Sequence, residues 1–524
     1  MFKLVIASAG VGSRSGCTVN KALTTIGDKP MIAHVVDAFP NAAEVIVVLG
    51  YQGDYVRQAL EAIYGCARIK FITVDDHTTG LGHTLLAARD ELRCPFVFSP
   101  NDTLIEPCGT ERDPSVVGNW MGYHTVRSGP LDITQYRTVS IADGFITGIN
   151  PKGHTENNCI YTGVAGVQDH EKFWSTMNDP AALEAGESHG LKALSNVRAF
   201  EIAEWRDGGS ALSLAHVKRD TRSRYNILEK PNEAIWFTDD RVIKFATDER
   251  FIANRVQRMK YIDPELLPRL LSTKPNLYAY HRVEGVTLSG VITEDIFDRL
   301  FATMEQRVWR ATRFWRTSIG EHHRDYWSFY RDKTLARVGL FLDRDECVDQ
   351  AERINGVATP ALGEILLRSV DWYNLCHKPC VSHYHGDFHN ENILLRPDGS
   401  FTLLDWRQDF EGDLEYGDVY YDLAKFAHGL IVSHDAVAHD EYRVTRLVGG
   451  DVKVDVHRPD NLARVEARFE AWLAANRFDR RRVRLLTALI FLNICGLHHY
   501  PYSMFLYYLG KKMLTEAVLE HSYR

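Results

Sequence analysis

The chain has no surplus of basic charge, few cysteines and no apolar stretch long enough to cross a bilayer. Its 61 Lys and Arg stand against 69 Asp and Glu, a formal net charge of -8. That balance argues against a general nucleic-acid binder, which carries a basic face, while leaving room for a local basic cleft around a nucleotide. Nine cysteines, an odd number, are scattered over 524 residues and do not form a disulfide framework. Cys376 and Cys380 are four apart, but no second cysteine or histidine pair follows at zinc spacing. The expectation is a reduced, cytoplasmic protein. The first apolar run, 4–9, is interrupted at once by Gly10, Gly12 and Arg14, so it reads as a buried first strand and not as a signal segment. The apolar run 485–497 falls short of the roughly 20 residues a membrane span needs and reads as a core helix, so no membrane insertion is expected. Internal repeats, low-complexity segments and a Gly/Ser- or Pro-rich linker are also missing.

What is present fits two or three soluble domains: the hydrophobic fraction is 45% and the charged fraction 25%. Strand-like runs at 3–7, 45–49, 68–74 and 96–99 alternate with helical periodicity at 31–39, 55–63 and 84–92. This rhythm predicts a parallel sheet covered by helices on both faces, with ligands at the carboxyl ends of the strands. After about Asp220 the pattern changes. Short antiparallel strands are expected at Ile227-Leu228, 234–237 and 242–245, with Asp239-Asp240 as a hairpin turn. From about Thr293 the chain turns mainly helical around a loop-and-strand island at 381–409. The expected domains are 1–221 and 222–524, with the junction uncertain by about ten residues for want of a linker signal.

The loop after the first strand reads Ser8-Ala9-Gly10-Val11-Gly12-Ser13-Arg14, followed by Asn20-Lys21-Ala22-Leu23. Glycines there let backbone N–H groups approach phosphates, and Arg14 and Lys21 supply cations for a triphosphate. A tight strand-to-helix turn would explain the glycines alone equally well. The segment resembles the signature of sugar-1-phosphate and choline-phosphate nucleotidyltransferases, continued here by Gly27-Asp28-Lys29-Pro30-Met31-Ile32. Asn20 stands where that family usually has proline. Thr79-Gly80-Leu81-Gly82-His83-Thr84 resembles the family's loop that meets the nucleobase, and Ser99-Pro100-Asn101-Asp102-Thr103-Leu104 its metal-binding strand end. Trp205-Arg206-Asp207-Gly208-Gly209 is similar to the second metal element of the hexose-1-phosphate branch. The resemblance, which spans about 1–220, implies a Rossmann-like, GT-A-like α/β domain. It also implies nucleotide contacts from Ala9, Gly10, Gly12, Ser13, Gly80 and Gly82, catalysis by Lys21 and Arg14, and Mg²⁺ on Asp102 and Asp207. Lys152 and Gly163, the latter in Tyr161-Thr162-Gly163-Val164, match the acceptor segment less specifically.

The sharpest pattern is His385-Gly386-Asp387-Phe388-His389-Asn390-Glu391-Asn392, followed by Leu403-Leu404-Asp405-Trp406. It resembles the catalytic and metal loops of aminoglycoside and choline kinases, and so implies a protein-kinase-like α+β domain. By that resemblance Asp387 orients and deprotonates the attacking hydroxyl, Asn392 and Asp405 hold Mg²⁺, and Lys244 in Val242-Ile243-Lys244-Phe245 meets the α- and β-phosphates of ATP. His385 holds the loop, Asp418 and Asp422 brace it, and Tyr280 to Leu288 forms the hinge. Two departures stand out: no clear Gly-rich loop precedes Lys244, and Asn254 occupies the place of an expected carboxylate, with Glu249 as a substitute. The aromatics Tyr500, Tyr502, Phe505, Tyr507 and Tyr508 suit either a quaternary-ammonium box or a packed helical core.

Together the two halves imply a kinase that phosphorylates a small polar alcohol or sugar with ATP. A transferase then couples the phosphate to CTP, UTP, dTTP or GTP, releasing pyrophosphate and making a nucleotide-activated building block for a surface glycan. The alternatives are a choline or amino-alcohol kinase fused to a cytidylyltransferase, and one domain acting as a silent binding or regulatory module. Nucleic acid is not expected as a partner, and a homo-oligomer is left open.

Overall fold

The apolar runs of the first hundred residues become strands, and their periodicity shows which faces are buried. The computed structural model describes residues 1–524 apart from 13–15, 66, 76–79, 128–130, 180–185, 222, 224–229, 310–325, 345–346 and 520–524. The chain separates into two compact units, Met1–Glu249 with Leu270–Tyr280, and Arg250–Arg269 with His281–Arg524.

In the first unit, β1 (Lys3–Ser8) is followed by α1 (Met31–Asp37), β2 (Glu44–Leu49), α2 (Gly53–Tyr64), β3 (Ile69–Thr73), α3 (Leu81–Ala87) and β4 (Phe96–Pro100). Then come the short β5 (Thr103–Leu104), β6 (Trp120–Thr125), β7 (Thr138–Ala142), β8 (Phe145–Asn150), β9 (Cys159–Val167), β10 (Arg198–Glu201) and the short β11 (Arg206–Asp207). Nine of these strands form one sheet in the order β3-β2-β1-β4-β9-β6-β10-β8-β7. β1 runs parallel to β2, with Ser8 opposite Leu49, and parallel to β4, with Ala7 opposite Pro100, so their carboxyl ends lie level. Both faces of the parallel strands β2, β1 and β4 are buried, as parallel pairing demands, whereas the sheet as a whole is mixed and not parallel: β9 runs antiparallel to β4 and β6, and β8 to β7. Leu4, Ile6, Val45, Val47 and Val97 join one apolar core with Ile32 and Val36 of α1 and Val56 and Leu60 of α2. The alternate residues Val5, Ile46, Val48, Phe96 and Phe98 join the other, with Leu85 of α3. Helix α3 begins earlier and ends sooner than the 84–92 expected. A single 3₁₀ turn at Arg89–Glu91 follows and delivers Leu92, fully buried, into the second core.

The expected antiparallel hairpin forms from β12 (Glu233–Phe237) and β13 (Arg241–Ala246), closed by Thr238 N–H donating to Arg241 O at 3.0 Å. The strand expected at Ile227-Leu228 lies outside the described residues. With Leu277–His281 and Leu270–Lys274, the hairpin makes a four-stranded sheet. Contacts group most of this sheet with the first unit, although a domain junction near 222 assigns it to the second. Trp236, Ile243, Phe245, Leu277 and Ala279 share the core under α1 and α2. The Trp236 indole N–H also donates to Thr25 Oγ1 at 3.1 Å. Burying Ile243 and Phe245 contributes about 2–3 kcal/mol each, which explains why the sheet is seated there.

The second unit is mainly helical, as expected. Its core is built on Arg480–Cys495 and Tyr502–Leu519, where Phe491, Phe505, Tyr507 and Tyr508 are buried. The helix α4 (Glu249–Arg258) opens it, and α5 (Val419–Ile431) crosses its middle. A small sheet of Val286–Thr287, Ile393–Leu395 and Phe401–Leu403 carries the loop-and-strand island. Among the described residues, no helix is long and apolar enough to cross a membrane.

Candidate active sites

The level ends of β1 and β4 create the first site. After β1 the chain leaves through Ala9, buried at 2% exposure, whose carbonyl accepts from Tyr51 N–H at 2.9 Å. Gly10 follows with open space beside it, and then Gly12. Ser13 and Arg14 lie outside the described residues. The loop returns at Asn20, and Lys21–Leu23 makes a 3₁₀ turn. Gly80 precedes α3, and its carbonyl accepts from Thr84 N–H at 3.3 Å, while Gly82 is buried within the helix.

Asn20 accounts for how the loop is held without the proline. It is 1% exposed; its N–H donates to Gln52 Oε1 at 2.6 Å, its Nδ2 to Tyr51 O at 2.6 Å, and its Oδ1 accepts from Ala22 N–H at 3.0 Å. An asparagine thus caps the turn with side-chain bonds where proline would restrict it through φ. Asn20→Ala leaves the Tyr51 carbonyl and the Ala22 N–H without these partners in a buried place. We expect the first unit to lose about 2 kcal/mol, read as a lowered denaturation midpoint. A loss under about 0.5 kcal/mol would mean that other contacts hold the loop.

The turn sets Lys21, 9% exposed, in an ion pair with Asp102. Asp102 sits between β4 and β5, where Asn101 Nδ2 donates to Ser8 Oγ at 3.0 Å and links the two strand ends. β11 pairs antiparallel with β5, Asp207 opposite Thr103, and Gly208 N–H donates to Asp102 O at 2.8 Å. This pairing brings the second carboxylate to the first. A Cβ on Gly209 would lie 2.9 Å from Asp207 Oδ1 and 3.3 Å from Asp102 Oδ2, so only glycine leaves the space between them open. Burial, with the Asp102 charge behind it, pushes the Asp207 carboxyl above its ordinary range. Tyr136 Oη donates to Asp207 Oδ2 at 2.8 Å and Gly209 N–H to its Oδ1 at 3.0 Å. Two converging carboxylates that repel one another suit a hard, oxygen-ligated dication. Gly163, at φ +85°, lies against Pro100, where a Cβ would meet Cγ at 2.8 Å. Lys152 is exposed on the turn after β8, which is tied by Gly153 N–H to Thr134 O at 2.9 Å, two residues before Tyr136. Tyr136 was not singled out in the sequence. An isolated tyrosine carries no motif, and only the fold shows what its hydroxyl meets.

The second unit assembles Asp387, Asn392 and Asp405. Gly386, at φ +87°, turns so tightly that a Cβ would lie 2.5 Å from Arg407 Cβ and 2.7 Å from the Tyr384 ring. His385 N–H and Gly386 N–H donate to the Asp422 carboxylate at 2.8 and 2.6 Å, as does the Trp309 indole at 3.0 Å. Burial pushes Asp422 up to about 6 against these bonds. Asp422 therefore braces the loop. Asp418 accepts from Tyr330 Oη, Arg482 and the Cys380 N–H. Burial also pushes His385 down to about 3, and its neutral Nδ1 accepts from Asp387 N–H at 3.2 Å. Asn392 Nδ2 donates to Asp387 O at 2.9 Å and to its Oδ2 at 3.2 Å, and Leu404 N–H donates to Asn392 O at 2.7 Å. Asp405 follows in the left-handed region at φ +55°, a conformation a non-glycine residue adopts at a cost and one concentrated at functional sites. An amide and a carboxylate are again hard oxygen donors that fit Mg²⁺.

Three partners here were not expected. Arg255 of α4 pairs with Asp405 Oδ1 at 2.8 Å, Lys425 of α5 with Asp387 Oδ1 at 2.8 Å, and Asn254 Nδ2 donates to Asp409 Oδ2 at 3.0 Å. Asn254 thus has a carboxylate partner of its own, and Glu249 is exposed. Lys244 is a buried residue of β13, opposite Ile235.

Residues 4–106 match the family model of the MobA-like NTP transferase domain, so the first unit carries such a domain. The bifunctional protein GlmU of Ralstonia pickettii is 34% identical over 243 residues, which are 42% of this chain and 51% of that protein. GlmU of Koribacter versatilis is 32% identical over 95 residues, 18% of this chain and 19% of its own. The chain spans about half the length, or less, of these curated relatives. Among solved structures, HddC from Yersinia pseudotuberculosis is similar at 20% identity and a TM-score of 0.35, covering 42% of this chain and 99% of that one. The inositol-1-phosphate CTP transferase from T. maritima is similar at 16% identity and a TM-score of 0.36, covering 42% and 96%.

Proposed function

We propose that the chain is a bifunctional transferase. Its first unit couples a sugar phosphate or sugar-like phosphate to an NTP, and its second phosphorylates a hydroxyl of a small polar molecule with ATP. The observation that carries the reading is the convergence of Lys21, Asp102 and Asp207 at the level strand ends, within and beside the segment matched to an NTP transferase domain. In the first reaction an oxygen of the acceptor phosphate attacks the α-phosphorus, the bond to the β-phosphate oxygen breaks, and pyrophosphate leaves. The acceptor is already an anion, so no strong base is needed. The chain's task is to position the partners and neutralise charge. Lys21 supplies a cation at the phosphates, with Arg14 proposed as a second. Ala9, Gly10, Gly12, Ser13, Gly80 and Gly82 line the nucleotide, and Lys152 and Gly163 the acceptor. Mg²⁺ held by Asp102 and Asp207 would offset the charge of the triphosphate.

In the second unit Asp387 receives the hydroxyl proton, and Asn392 and Asp405 are the residues that would hold Mg²⁺. The sugar acceptor is preferred over choline, and the tail aromatics support the choice: Phe505, Tyr507 and Tyr508 are spent on the core, which removes one feature a quaternary-ammonium site would use. The product suits the supply of activated units for a surface glycan.

The test measures pyrophosphate from each NTP with a panel of phosphorylated sugars and phosphocholine, and ADP from ATP with the corresponding alcohols. Both activities should vanish in EDTA and return with Mg²⁺. Turnover that survives thorough chelation would remove Asp102, Asp207, Asn392 and Asp405 from their assigned role.

A further inference from the structure

Asp387 and Asp405, the two carboxylates of the second site, are each met by a cation from a helix. The one on Asp387 is not needed to shape its loop. Asp422 already holds the backbone at His385 and Gly386, and Asn392 holds the Asp387 carbonyl and carboxylate. Lys425 nevertheless approaches Asp387 Oδ1 at 2.8 Å with its side chain only 14% exposed. It lies three residues after Asp422 on α5, hence on the same helix face, so the residue that fixes the loop also fixes the lysine against it.

We propose that Lys425 is the phosphoryl-contacting cation of the second site, binding the oxygens of the group in flight while holding Asp387 in place. The proposal rests on the phosphotransferase reading of this unit. Asp387 must meet the attacking hydroxyl, and the hydroxyl must meet the γ-phosphorus. An ammonium ion-paired with Asp387 at 2.8 Å therefore stands within reach of the γ-phosphate oxygens. The ammonium carries three N–H donors, enough for two oxygens of the transferring group while its charge faces Asp387. Burial alone would neutralise such a lysine. The Asp387 charge outweighs it and keeps the ammonium protonated, with Tyr421, Arg407, Lys333, His389 and His428 among its other titratable neighbours. Burial likewise favours a neutral Asp387, but Lys425 foremost, and then His389, hold the carboxyl well below its ordinary range.

The hydroxyl oxygen bonds to the γ-phosphorus as the bond to the β-phosphate oxygen breaks. ADP leaves with that electron pair, and the hydroxyl proton passes to Asp387 late, as a loose transition state allows. Charge on the three equatorial oxygens is then what has to be stabilised, and Lys425 is placed to do it.

The experiment uses the full chain with Mg·ATP, measuring ADP formation with and without the sugar panel, Mg·ATP affinity by calorimetry, and thermal melting. Lys425→Met should lower kcat by about 10²–10³ while the KM for ATP and the calorimetric affinity stay within about threefold. Lys425→Arg should recover part of the loss. A Lys425→Met protein that turns over within about fivefold of the parent, or that loses affinity and not kcat, overturns the assignment. If Lys425→Met does not fold, Lys425→Arg decides. A folded arginine variant at least tenfold slower than the parent, with ATP affinity intact, supports the role, and parental turnover marks Lys425 as a structural charge. A parent protein that forms no ADP under any of these conditions rejects the phosphotransferase reading itself, a result distinct from an insensitive Lys425.

Discussion

Asp102→Asn should reduce pyrophosphate release by about 10³ or more and leave ADP formation unchanged. The side chain keeps its size, so β4, β5 and their link through Asn101 to Ser8 persist. What goes is charge. Lys21 loses its ion-pair partner, and one of the two carboxylates around Gly209 becomes an amide. A divalent cation stabilises the transition state of phosphoryl chemistry by several kcal/mol, and about 4 kcal/mol corresponds to roughly 10³ in rate. With Asp207 as the only charged ligand, most of that stabilisation is lost. The Asp207 carboxyl, raised by burial and by the Asp102 charge, should also titrate lower in the variant. Pyrophosphate release within tenfold of the parent would show that Asp102 serves only to hold Lys21. Loss of both activities in a folded protein would show that the two sites are not separate.

Much of the first unit could be read from the chain because its signals are local. The β-branched run Val45-Ile46-Val47-Val48 can be satisfied only where both faces are covered, and it lies in the sheet between β1 and β3. Asp102 was singled out through the resemblance of Ser99 to Leu104 to a metal-binding strand end, and it does lie just past an apolar strand, where ligands gather. Asp207 is different. Its proximity to Asp102 depends on a two-residue strand pairing, which periodicity cannot reveal. Asn20 departed from the motif, and its compensation lies in bonds to Tyr51 and Gln52 on a separate segment. The hairpin at Asp239-Asp240 followed from turn chemistry. That Trp236 and Phe245 would pack under α1 and α2 did not, since an apolar strand face does not name its partner. In the second unit the motif singled out Asp387, Asn392 and Asp405 as expected site residues. Arg255 and Lys425 are ordinary basic residues of helices until the fold sets their charges beside carboxylates.

The corresponding change in the second unit, Asp387→Asn, should lower ADP formation by about 10³ and spare pyrophosphate release. Removing a positioned general base typically costs 10²–10⁴, and the variant also loses the negative charge that orients Lys425. The loop itself should survive, because its backbone is held by Asp422 through His385 N–H, Gly386 N–H and the Trp309 indole, none of which involves the Asp387 side chain. A modest loss of stability is expected, since Lys425 is left partly buried without its anion. The measurement is therefore kcat on protein shown to be folded by its melting transition, with Mg·ATP affinity recorded alongside. Affinity should hold, because Asn392 and Asp405 are untouched. ADP formation that persists within tenfold would mean that the hydroxyl needs no acceptor for its proton at this position. Asp387 would then lose its assigned role, and the transfer would have to rest on the other residues of the second unit.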